Sequence, residues 1–467
     1  MKKLLSIIEE RLDEPTSKAL ALAVSRGLRE GLLSPGDRLP PIRTVATELG
    51  LSPTTVSAAW GLLARSGAIH TAGRRGTTIA EQHAPGSVRY QKAIDRSIFF
   101  ELDLSTGVPD PALLPDLGPA LRALQLRSER ADRAVNPTSY LDDPVLPELR
   151  EVLRAEWPAP VGDLTVVDGA MDALELTCRS LLRFGDRVIV EHPCFPPLLD
   201  LLESIGVEVI GVPVDDEGLA AKPLAKALAQ TAKNSASVPV ALFLQPRAQN
   251  PTGASLTPAR AGELVDLLRP TDVWIVEDDS AGAVAATEPI SLGRWLPART
   301  VHIRSFSKSH GPDLRLAAMS APTELMTDII GRRQLGQGWS SRLLQRILLN
   351  LLTDPGSLGE VSLARTEYAQ RRASMVQALS DRGVEVGGGD GLNIWIPVVD
   401  EPAALVRLAS QGIGVTAGAP FAVLPAQTGF IRVTTGLLAN CSPQRHAEIA
   451  DALAAAARTG ARLGVRR

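Results

Sequence analysis

Three side chains of complementary chemistry follow predicted buried strands in the middle of the chain. Lys308 comes after the apolar run TVHIRSF, Asp278 follows VWIVE, and Asn250 follows ALFLQP within RAQNPTG. A lysine can form a Schiff base, an acid can pair with a protonated pyridine nitrogen, and an amide can lie beside a phenolic oxygen. Pyridoxal phosphate requires these three groups. A Ser-x-Lys motif alone would mean little, since most lysines are solvated, but the ordered set favours a cofactor site.

A phosphate site is predicted next to this set. Gly169 and Ala170 in DGAMDA open a predicted helix, so the first helical amides, that of Met171 included, and the helix dipole can hold a phosphate dianion. Further hydrogen-bond donors come from the segment SFSKSHGPDLRL, namely Ser305, Ser307 and Arg315.

Alternating strands and helices must position these residues. After residue 102 the chain carries apolar runs of four to seven residues, most of them next to helical stretches. This alternation predicts an α/β fold with a mainly parallel central sheet that is buried on both faces. Functional loops in such folds lie at the carboxyl ends of the strands, where Lys308, Asp278 and Asn250 stand.

The first 80 residues show a different pattern. An amphipathic helix is predicted over residues 16–33, a short helix ends at Gly50, and the next begins with Ser52 as its cap and Pro53 at its first position. Two short helices joined by a tight turn are typical of a helix-turn-helix. The following stretch AIHTAGRRGTTIAE predicts a β-hairpin, which would be the wing.

Charge supports a nucleic-acid partner for this segment. Residues 1–80 hold eleven Lys and Arg against seven Asp and Glu, a net charge of +4, so the remaining residues carry −7 of the total of −3. Cations hold phosphates, and short hydroxyl side chains at a recognition helix approach base edges. A small helical oligomerisation domain with a solvated hairpin is the alternative. The candidate DNA-binding residues are Arg43, Ser52, Thr54, Thr55, Ser57, Arg74, Arg75, Gly76 and Thr77.

We therefore expect a DNA-binding module over residues 1–80, a linker over 81–101, and a large domain over 102–467 with a small C-terminal subdomain from about residue 355. Three widely spaced cysteines suit a reducing compartment better than a disulfide framework or a zinc site, and no metal site is predicted. No apolar run of about 18 residues occurs and the N-terminal stretch is too short for a signal peptide, so a cytoplasmic protein without a membrane partner is expected.

Residues 16–80 resemble the winged helix of GntR-type regulators in the order and spacing of LSPGDRLPPIRTVATELGLSPTTVSAAWGLLARSGAI followed by GRRGT. The resemblance implies binding to double-stranded DNA. One position departs from the pattern: many members place an arginine at the start of the recognition helix, where this chain has Pro53. Some phosphate or base contact must then be made by another residue. A protein-interaction module is the alternative.

Residues 103–460 resemble the class I aminotransferases of pyridoxal phosphate fold type I. The resemblance implies that Lys308 forms the internal aldimine, Asp278 pairs with the pyridine nitrogen, and Asn250 donates to the cofactor's O3′. It also implies that Arg315 binds the phosphate. Tyr140 in NPTSYLDDPVLPELR matches the tyrosine that reaches the partner subunit's phosphate, which implies a homodimer with shared sites.

A substrate carboxylate has a matching position as well. Arg432 in FIRVTTG matches the arginine that clamps the carboxylate, and Gly107 in STGVPD matches the glycine beside it. An arginine on a strand can also be a surface ion pair, so this assignment depends on where Arg432 lies.

A GntR-type winged helix joined to an aminotransferase-like domain resembles the MocR subfamily of bacterial transcription regulators. That resemblance implies a regulator that senses pyridoxal phosphate, or an amino-compound effector, through an aldimine on Lys308. It also implies a homodimer, commonly with domains exchanged between subunits. An active aminotransferase with a tethered DNA-binding domain is the alternative.

Two departures from the aminotransferase pattern favour the regulator. Ser280 and Ala281 stand where many members carry a tyrosine that donates to O3′. Phe195, which can stack on the pyridine ring, replaces a frequent tyrosine and is followed by Pro196 and Pro197. Both changes remove donors that turnover uses.

Overall fold

The computed structural model describes residues 2–29, 32–34, 36–65, 69–71, 76–79, 89, 100–129, 143–232, 238–425, 428–439 and 441–460.

The N-terminal module is a helix-turn-helix with a small sheet, as the spacing of its apolar residues predicts. Its core contains Leu20, Val24, Val45, Val56 and Trp60, which lie on one face of each helix. Its helices are α1 (Lys2–Glu9), α2 (Ser17–Arg29), α3 (Ile42–Glu48) and α4 (Pro53–Arg65). Its antiparallel strands, in the order β1-β3-β2, are β1 (Arg38–Leu39), β2 (Ile69–Thr71) and β3 (Thr77–Ile79).

The turn between α3 and α4 ends in a side-chain cap. Ser52 Oγ accepts a hydrogen bond of 3.0 Å from the backbone N–H of Thr55, which satisfies one of the amides that a helix start leaves unpaired. Pro53 occupies the first position of α4, where the absence of an N–H costs nothing. The predicted start of the recognition helix is therefore confirmed.

An eight-stranded sheet forms the centre of the large domain, with apolar side chains packed on both of its faces. Its order is β5-β12-β11-β10-β9-β6-β7-β8. Neighbouring pairs from β11 to β7 are parallel, whereas β12 and β8 pair antiparallel with their neighbours. The strands are β5 (Asp163–Val167), β6 (Arg187–His192), β7 (Glu208–Asp215), β8 (Gly218–Leu219), β9 (Ala241–Leu244), β10 (Trp274–Asp279), β11 (Thr300–Ser305) and β12 (Ala317–Ala321).

Helices cover this sheet and lead to the small subdomain. The described helices of the large part are α5 (Gly118–Glu129), α6 (Pro147–Ala155), α7 (Ala170–Leu181), α8 (Pro196–Ile205), α9 (Ala221–Ala232), α10 (Pro258–Leu268), α11 (Thr323–Gln334) and α12 (Arg342–Thr353). None of the helices described is both long enough and apolar enough to cross a membrane.

The small subdomain has its own core but borrows a strand from the start of the domain. It contains α13 (Pro355–Ser380), α14 (Glu401–Ala409) and α15 (Pro443–Ala457), with strands β13 (Asn393–Val398), β14 (Ile413–Gly414), β15 (Thr416–Ala417) and β16 (Gly429–Thr434). Strand β4 (Leu102–Asp103) pairs in parallel with β14, and Leu104 is buried in the small subdomain's core. The segment after β4 therefore passes directly over β16, which brings residues 105–107 close to Arg432 on that strand.

The winged helix and the large domain touch. Phe184, which follows α7, packs against the core of the N-terminal module. A cavity of about 310 Å³ lies between the two parts and is lined by Ala21 and Leu63 on one side and Leu199 and Val423 on the other.

Candidate cofactor site

Lys308 lies in the loop after β11, and its amine points at the segment that crosses from β4. Nζ donates a hydrogen bond of 3.1 Å to the carbonyl oxygen of Gly107. Burial, reinforced by the positive charge of Arg432 and opposed by Asp278, lowers the pKa of Lys308 to about 8. About a tenth of this amine is therefore neutral, and nucleophilic, at pH 7.

Asp278, on β10, presents one oxygen to a neighbour and leaves the other bare. Its Oδ2 accepts a hydrogen bond of 2.8 Å from Gln245 Nε2. Its Oδ1 is buried and has no hydrogen-bond partner among the residues that the structure describes. Burial raises the pKa of Asp278 to about 6, although the Gln245 hydrogen bond and Lys308 oppose the rise. A buried oxygen without a donor costs free energy, so a hydrogen bond from a ligand would stabilise it.

The loop after β9 brings Asn250 and Arg432 together. Asn250 is buried, its N–H donates to Gln245 Oε1 at 2.7 Å, and its Oδ1 accepts from Arg432 Nη1 at 3.3 Å. The side-chain oxygen faces the arginine, so the Asn250 NH₂ group is the one left to donate elsewhere.

Arg432 is not a surface residue. It lies on β16 at 3% exposure, and its Nη2 donates to the Ser105 carbonyl and, at 3.1 Å, to Thr416 Oγ1. The guanidinium also lies over the Phe421 ring, 5.4 Å from its centroid. Gly107 lies beside it: a Cβ at Gly107 would come within 3.2 Å of Nη1 and Nη2. The surface ion pair considered from the sequence is therefore excluded, and the geometry suits a buried carboxylate site.

A cradle of amides and a guanidinium lies at the start of α7. Gly169 precedes the helix with φ of 99°, and a Cβ there would come within 3.2 Å of Arg315 Nη2. Arg315 Nη2 donates to the Asp168 carbonyl at 3.2 Å. The first amides of α7, those of Ala170 and Met171, have no acceptor within the helix. They and the dipole of this 12-residue helix can bind a phosphate.

Two serines and an arginine flank the cradle. Ser305, at the end of β11, is buried and accepts from the Ser307 N–H at 3.3 Å. Arg333 reaches under the cradle from α11, donating to the Val166 carbonyl at 2.7 Å and to Asp168 Oδ2 at 2.8 Å. Arg333 was not identified from the sequence, because an arginine in the last turn of a helix is usually solvated.

Small side chains replace the tyrosine that the aminotransferase pattern favours. Ala281 is buried in contact with Ala248 and Ala285. Ser280 Oγ lies 3.0 Å from Gln245 Nε2. Phe195 packs against the core beside Asp278 and lines the same small pocket. Neither Ser280 nor Ala281 carries the phenol that would donate to O3′.

These residues fit pyridoxal phosphate. Asp278 offers a buried, unpartnered oxygen for the ring N–H, the α7 start and Arg315 offer donors for the phosphate, and Lys308 offers a partly neutral amine. Gly169 and Gly107 keep open the spaces that a Cβ would fill.

The candidate DNA-binding residues that the structure describes lie around the start of α4. Arg43, Ser52, Thr54 and Ser57 are exposed, and Thr55 is half-buried. Ser52 Oγ lies 2.7 Å from Thr54 Oγ1 and 2.8 Å from Thr55 Oγ1. In the hairpin, Gly76 lies against the Arg38 guanidinium, and Thr77 is buried. Arg74, Arg75 and Tyr140 lie outside the described residues.

Three buried polar residues around Asp278 were also missed from the sequence. Gln245 contacts Asp278 itself. Arg247 pairs with Asp279 through hydrogen bonds of 2.9 and 2.7 Å. Burial alone would raise the pKa of Asp279, but the charge and hydrogen bonds of Arg247, together with His302 and Arg304, outweigh burial and lower that pKa. Glu191 accepts from the Gln245 N–H at 3.1 Å. The only signal in the sequence was an unusual density of polar residues in QPRAQN after an apolar strand.

Fold and site together define an aminotransferase-like domain joined to a winged helix. Residues 101–453 match the family model for aminotransferase class I and II, and residues 16–79 match that for bacterial regulatory proteins of the gntR family. The chain belongs to both families in these parts, and their combination makes it a MocR-type transcription regulator.

Two named relatives are similar to this chain over most of their length. The chain is 34% identical over 439 residues to the vitamin B6 salvage pathway transcriptional repressor PtsJ of Salmonella typhimurium, covering 91% of this chain and 96% of that protein. It is 30% identical over 422 residues to the HTH-type pyridoxine biosynthesis transcriptional regulator PdxR of Corynebacterium glutamicum, covering 86% and 88%.

Solved structures agree on the fold. Pyrococcus horikoshii kynurenine aminotransferase matches with a TM-score of 0.69 and 22% identity over 80% of this chain and 95% of that chain. At this identity the likeness shows the fold alone.

Proposed function

We propose that this regulator binds pyridoxal phosphate at the carboxyl edge of its large sheet, attached to Lys308, and that the cofactor or an amino-compound effector controls how the winged helix binds operator DNA. The observation that carries the proposal is the buried Asp278 oxygen without a hydrogen-bond partner among the described residues, beside a lysine whose pKa is lowered to about 8. Burying such a carboxylate is costly unless a ligand donates to it.

The residues divide the cofactor between them. Asp278 would bind the ring nitrogen and Asn250 the phenolic oxygen, while Phe195 would lie against the ring. The Gly169 to Met171 amides, with Ser305, Ser307 and Arg315, would hold the phosphate. When bound, the cofactor supplies an aldehyde carbon that forms a carbon–nitrogen double bond with an amine.

The buried Arg432 supports an effector that carries a carboxylate. Its guanidinium lies beside Gly107, whose carbonyl holds Lys308 Nζ, so amine and carboxylate sites are adjacent. An α-amino acid carries both an amine and a carboxylate and so could use both sites. A shift in DNA binding would follow from a difference in its affinity for two arrangements of the protein.

We further propose a homodimer whose domains are exchanged between subunits in the manner of the subfamily, with Tyr140 completing the partner's phosphate site. The winged helix would present Arg43 and the hydroxyls of Ser52, Thr54, Thr55 and Ser57 to DNA, with Arg74, Arg75 and Gly76 at the wing. Two winged helices would suit a site with two half-sites.

The cofactor test is an absorption spectrum of the purified protein after incubation with pyridoxal phosphate and gel filtration. We expect a visible band that stays with the protein and is not removed by dialysis. Lys308→Ala is the matched control, and it should retain cofactor only weakly and without that band. A wild-type protein that retains no cofactor contradicts the proposal.

The DNA test measures binding to the DNA upstream of the chain's own coding sequence as a function of salt. Because phosphate contacts release counterions, binding should weaken steeply as salt rises. Arg43→Ala should weaken binding about uniformly across sequences and reduce the salt slope by about one. Binding that is insensitive to salt would favour the protein-interaction module instead.

An aminotransferase is the second candidate function, supported by the presence of Lys308, Asp278, Asn250 and Arg432 in one site. Against it stand Ser280 and Ala281, which occupy the positions where many members carry the tyrosine phenol. Incubation with amino acids and 2-oxo acids distinguishes the two: sustained keto-acid release at about 1 to 1000 per second would identify an enzyme. Spectral exchange without turnover would support the sensor.

A further inference from the structure

Gln245 occupies the centre of the site without belonging to the set predicted from the sequence. It is 6% exposed and directly follows β9. Its Nε2 donates to Asp278 Oδ2 at 2.8 Å and to Ser280 Oγ at 3.0 Å, and its Oε1 accepts from the Asn250 N–H at 2.7 Å. One amide thus links the two residues that would hold the ring nitrogen and the phenolic oxygen of the cofactor.

The orientation of this amide is determined by its partners. The Asn250 backbone N–H can only donate, so the Gln245 atom facing it must be the oxygen. The nitrogen is then left facing Asp278, where a carboxylate oxygen can accept. A flipped amide would set oxygen against carboxylate and N–H against N–H, losing both bonds.

This arrangement directs the bare oxygen of Asp278. With Oδ2 occupied by Gln245, Oδ1 is the oxygen left for a ligand, and it is buried without a partner among the described residues. A hydrogen bond from a neutral amide to a carboxylate also favours its ionised form. An ionised Asp278 is the form that keeps a proton on a pyridine nitrogen.

The loop that carries Asn250 is held both by the Gln245 side chain and by Glu191. Glu191 accepts from the Gln245 N–H at 3.1 Å and from Gln249 Nε2 at 3.3 Å, so the start of the loop is fixed from below. Asn250 in turn contacts Arg432 at 3.3 Å. A continuous series of hydrogen bonds therefore runs from the ring-nitrogen site to the carboxylate site.

We infer that Gln245 is a positioning residue for the cofactor: it holds the Asp278 carboxylate with Oδ1 toward the ring nitrogen, and it fixes the Asn250 backbone so that the Asn250 side-chain NH₂ group can reach the phenolic oxygen. The inference rests on the proposed binding of pyridoxal phosphate. It adds a residue that touches neither the reacting atoms nor the phosphate and acts through Asp278 and Asn250.

The test replaces Gln245 with methionine, which has nearly the same shape and no hydrogen-bonding groups. Gln249→Met is the matched control, because Gln249 lies in the same loop and is 1% exposed but contacts neither Asp278 nor the Asn250 N–H in the hydrogen bonds described. Cofactor affinity is measured by fluorescence titration of the full-length protein. We expect Gln245→Met to weaken binding about 10- to 100-fold, the loss typical of a hydrogen bond to a buried charge.

A second readout separates positioning from general damage to the loop. The visible absorbance of bound cofactor reports the protonation of its linkage to Lys308, and a protonated ring nitrogen lowers the pKa of that linkage by withdrawing electrons. When Asp278 is no longer held ionised, the ring nitrogen loses its proton. The pH midpoint of the absorbance change should therefore rise by about one pH unit in Gln245→Met. Gln249→Met should leave the midpoint at the wild-type value.

The outcomes are distinct. Wild-type protein that takes up no cofactor overturns the proposed function, whatever the variants do. Wild-type uptake with an unchanged midpoint in Gln245→Met overturns the inference alone, as does an equal shift in Gln249→Met. If Gln245→Met does not fold, Gln245→Ser, which is small and polar but too short to span both contacts, is titrated instead. The same rise in midpoint supports the inference, and no rise overturns it.

Discussion

At the scale of single residues, the site is a set of buried ionisable groups that lack full compensation. The pKa of Lys308 is lowered and that of Asp278 is raised, so both shifts favour the neutral form. The main cause is burial, which removes water from the charged groups. Such shifts occur where ligands bind or chemistry takes place. The neutral fraction of the Lys308 amine is nucleophilic. The buried Asp278 oxygen lacks a donor among the described residues, and a protonated ring nitrogen would supply one.

The pH dependence of cofactor loading should report the Lys308 amine. Only the neutral amine attacks an aldehyde, so the loading rate should rise about tenfold per pH unit below pH 8 and level off above it. An ordinary lysine would keep rising to above pH 10. Stopped-flow absorbance of protein stripped of cofactor measures this rate. A rate that still climbs tenfold between pH 9 and 10 would contradict the lowered pKa.

Glu191 should make the protein less stable as pH rises. Burial raises its pKa to about 8, although hydrogen bonds from Gln245 and Gln249 oppose the rise. Between about pH 4.5 and pH 8 the folded state then holds a proton that the unfolded state releases. The free energy of unfolding therefore falls with rising pH, by up to about 1.4 kcal/mol per unit for one proton.

Glu191→Gln should remove that slope, since an amide oxygen accepts the same two hydrogen bonds without titrating. Chemical denaturation at pH 5, 6.5 and 8 measures it. Glu148→Gln, an exposed carboxyl group on α6, is the matched control. Equal slopes in the wild type and in Glu191→Gln would show that the buried carboxyl group is already ionised at pH 5.

At the scale of elements, the ends of strands and helices supply what side chains alone do not. Residue Gly169 enters α7 with a positive φ and lies against Arg315, so the backbone itself forms one wall of the phosphate cradle. Strand β4 joins the small subdomain and brings Ser105 and Gly107 across Arg432. The phosphate cradle depends on where α7 begins, and the contacts of Arg432 depend on the course of the chain after β4. A sequence motif specifies neither.

Gly169→Ala should weaken binding of pyridoxal phosphate about tenfold or more, because its Cβ is strained at positive φ and crowds Arg315. Pyridoxal without the phosphate should bind as well as it does to the wild type, apart from any loss of fold stability. Gly262→Ala, in the interior of α10 with open space around it, is the matched control and should raise stability by about 0.5–1 kcal/mol. Equal losses for both ligands would place the damage outside the phosphate cradle.

At the scale of the whole molecule, two charge regimes and two modules are joined in one chain. The N-terminal 80 residues carry +4 and the remainder −7, which directs DNA to the winged helix and away from the large domain. Phe184 contacts the core of the N-terminal module, so a change in the large domain has a physical route to the DNA-binding helices. A ligand can use this route only if the protein has two conformations that bind the ligand with different affinities.

Arg432→Lys should abolish the effect of a carboxylate-bearing effector on DNA binding. Lysine keeps the charge but cannot clamp a carboxylate with two parallel hydrogen bonds, so affinity for carboxylate-bearing amines should fall about 10- to 100-fold. Binding of pyridoxal phosphate and of DNA without effector should persist. Fluorescence anisotropy of labelled upstream DNA, with and without a panel of amino acids, measures the response. A variant that still responds to the same amino acid at the same concentration would contradict the role of Arg432.

Local pattern in the sequence determined much of this protein. The spacing of apolar residues and the caps of helices predicted the helix-turn-helix, the hairpin and the alternation of strands and helices, because these depend on neighbours within a few residues. The same pattern placed Lys308, Asp278 and Asn250 at strand ends.

Only the tertiary structure decided which side chains meet. Gln245 and Asp278 are 33 residues apart and meet because β9 and β10 are adjacent parallel strands. Arg432 and Ser105 are 327 apart and meet because β4 joins β14 in the small subdomain. Strand order and the choice of sheet face are set by packing of the whole domain, which no local period encodes. The residues that would hold the cofactor-binding groups in place were therefore visible only in the tertiary structure.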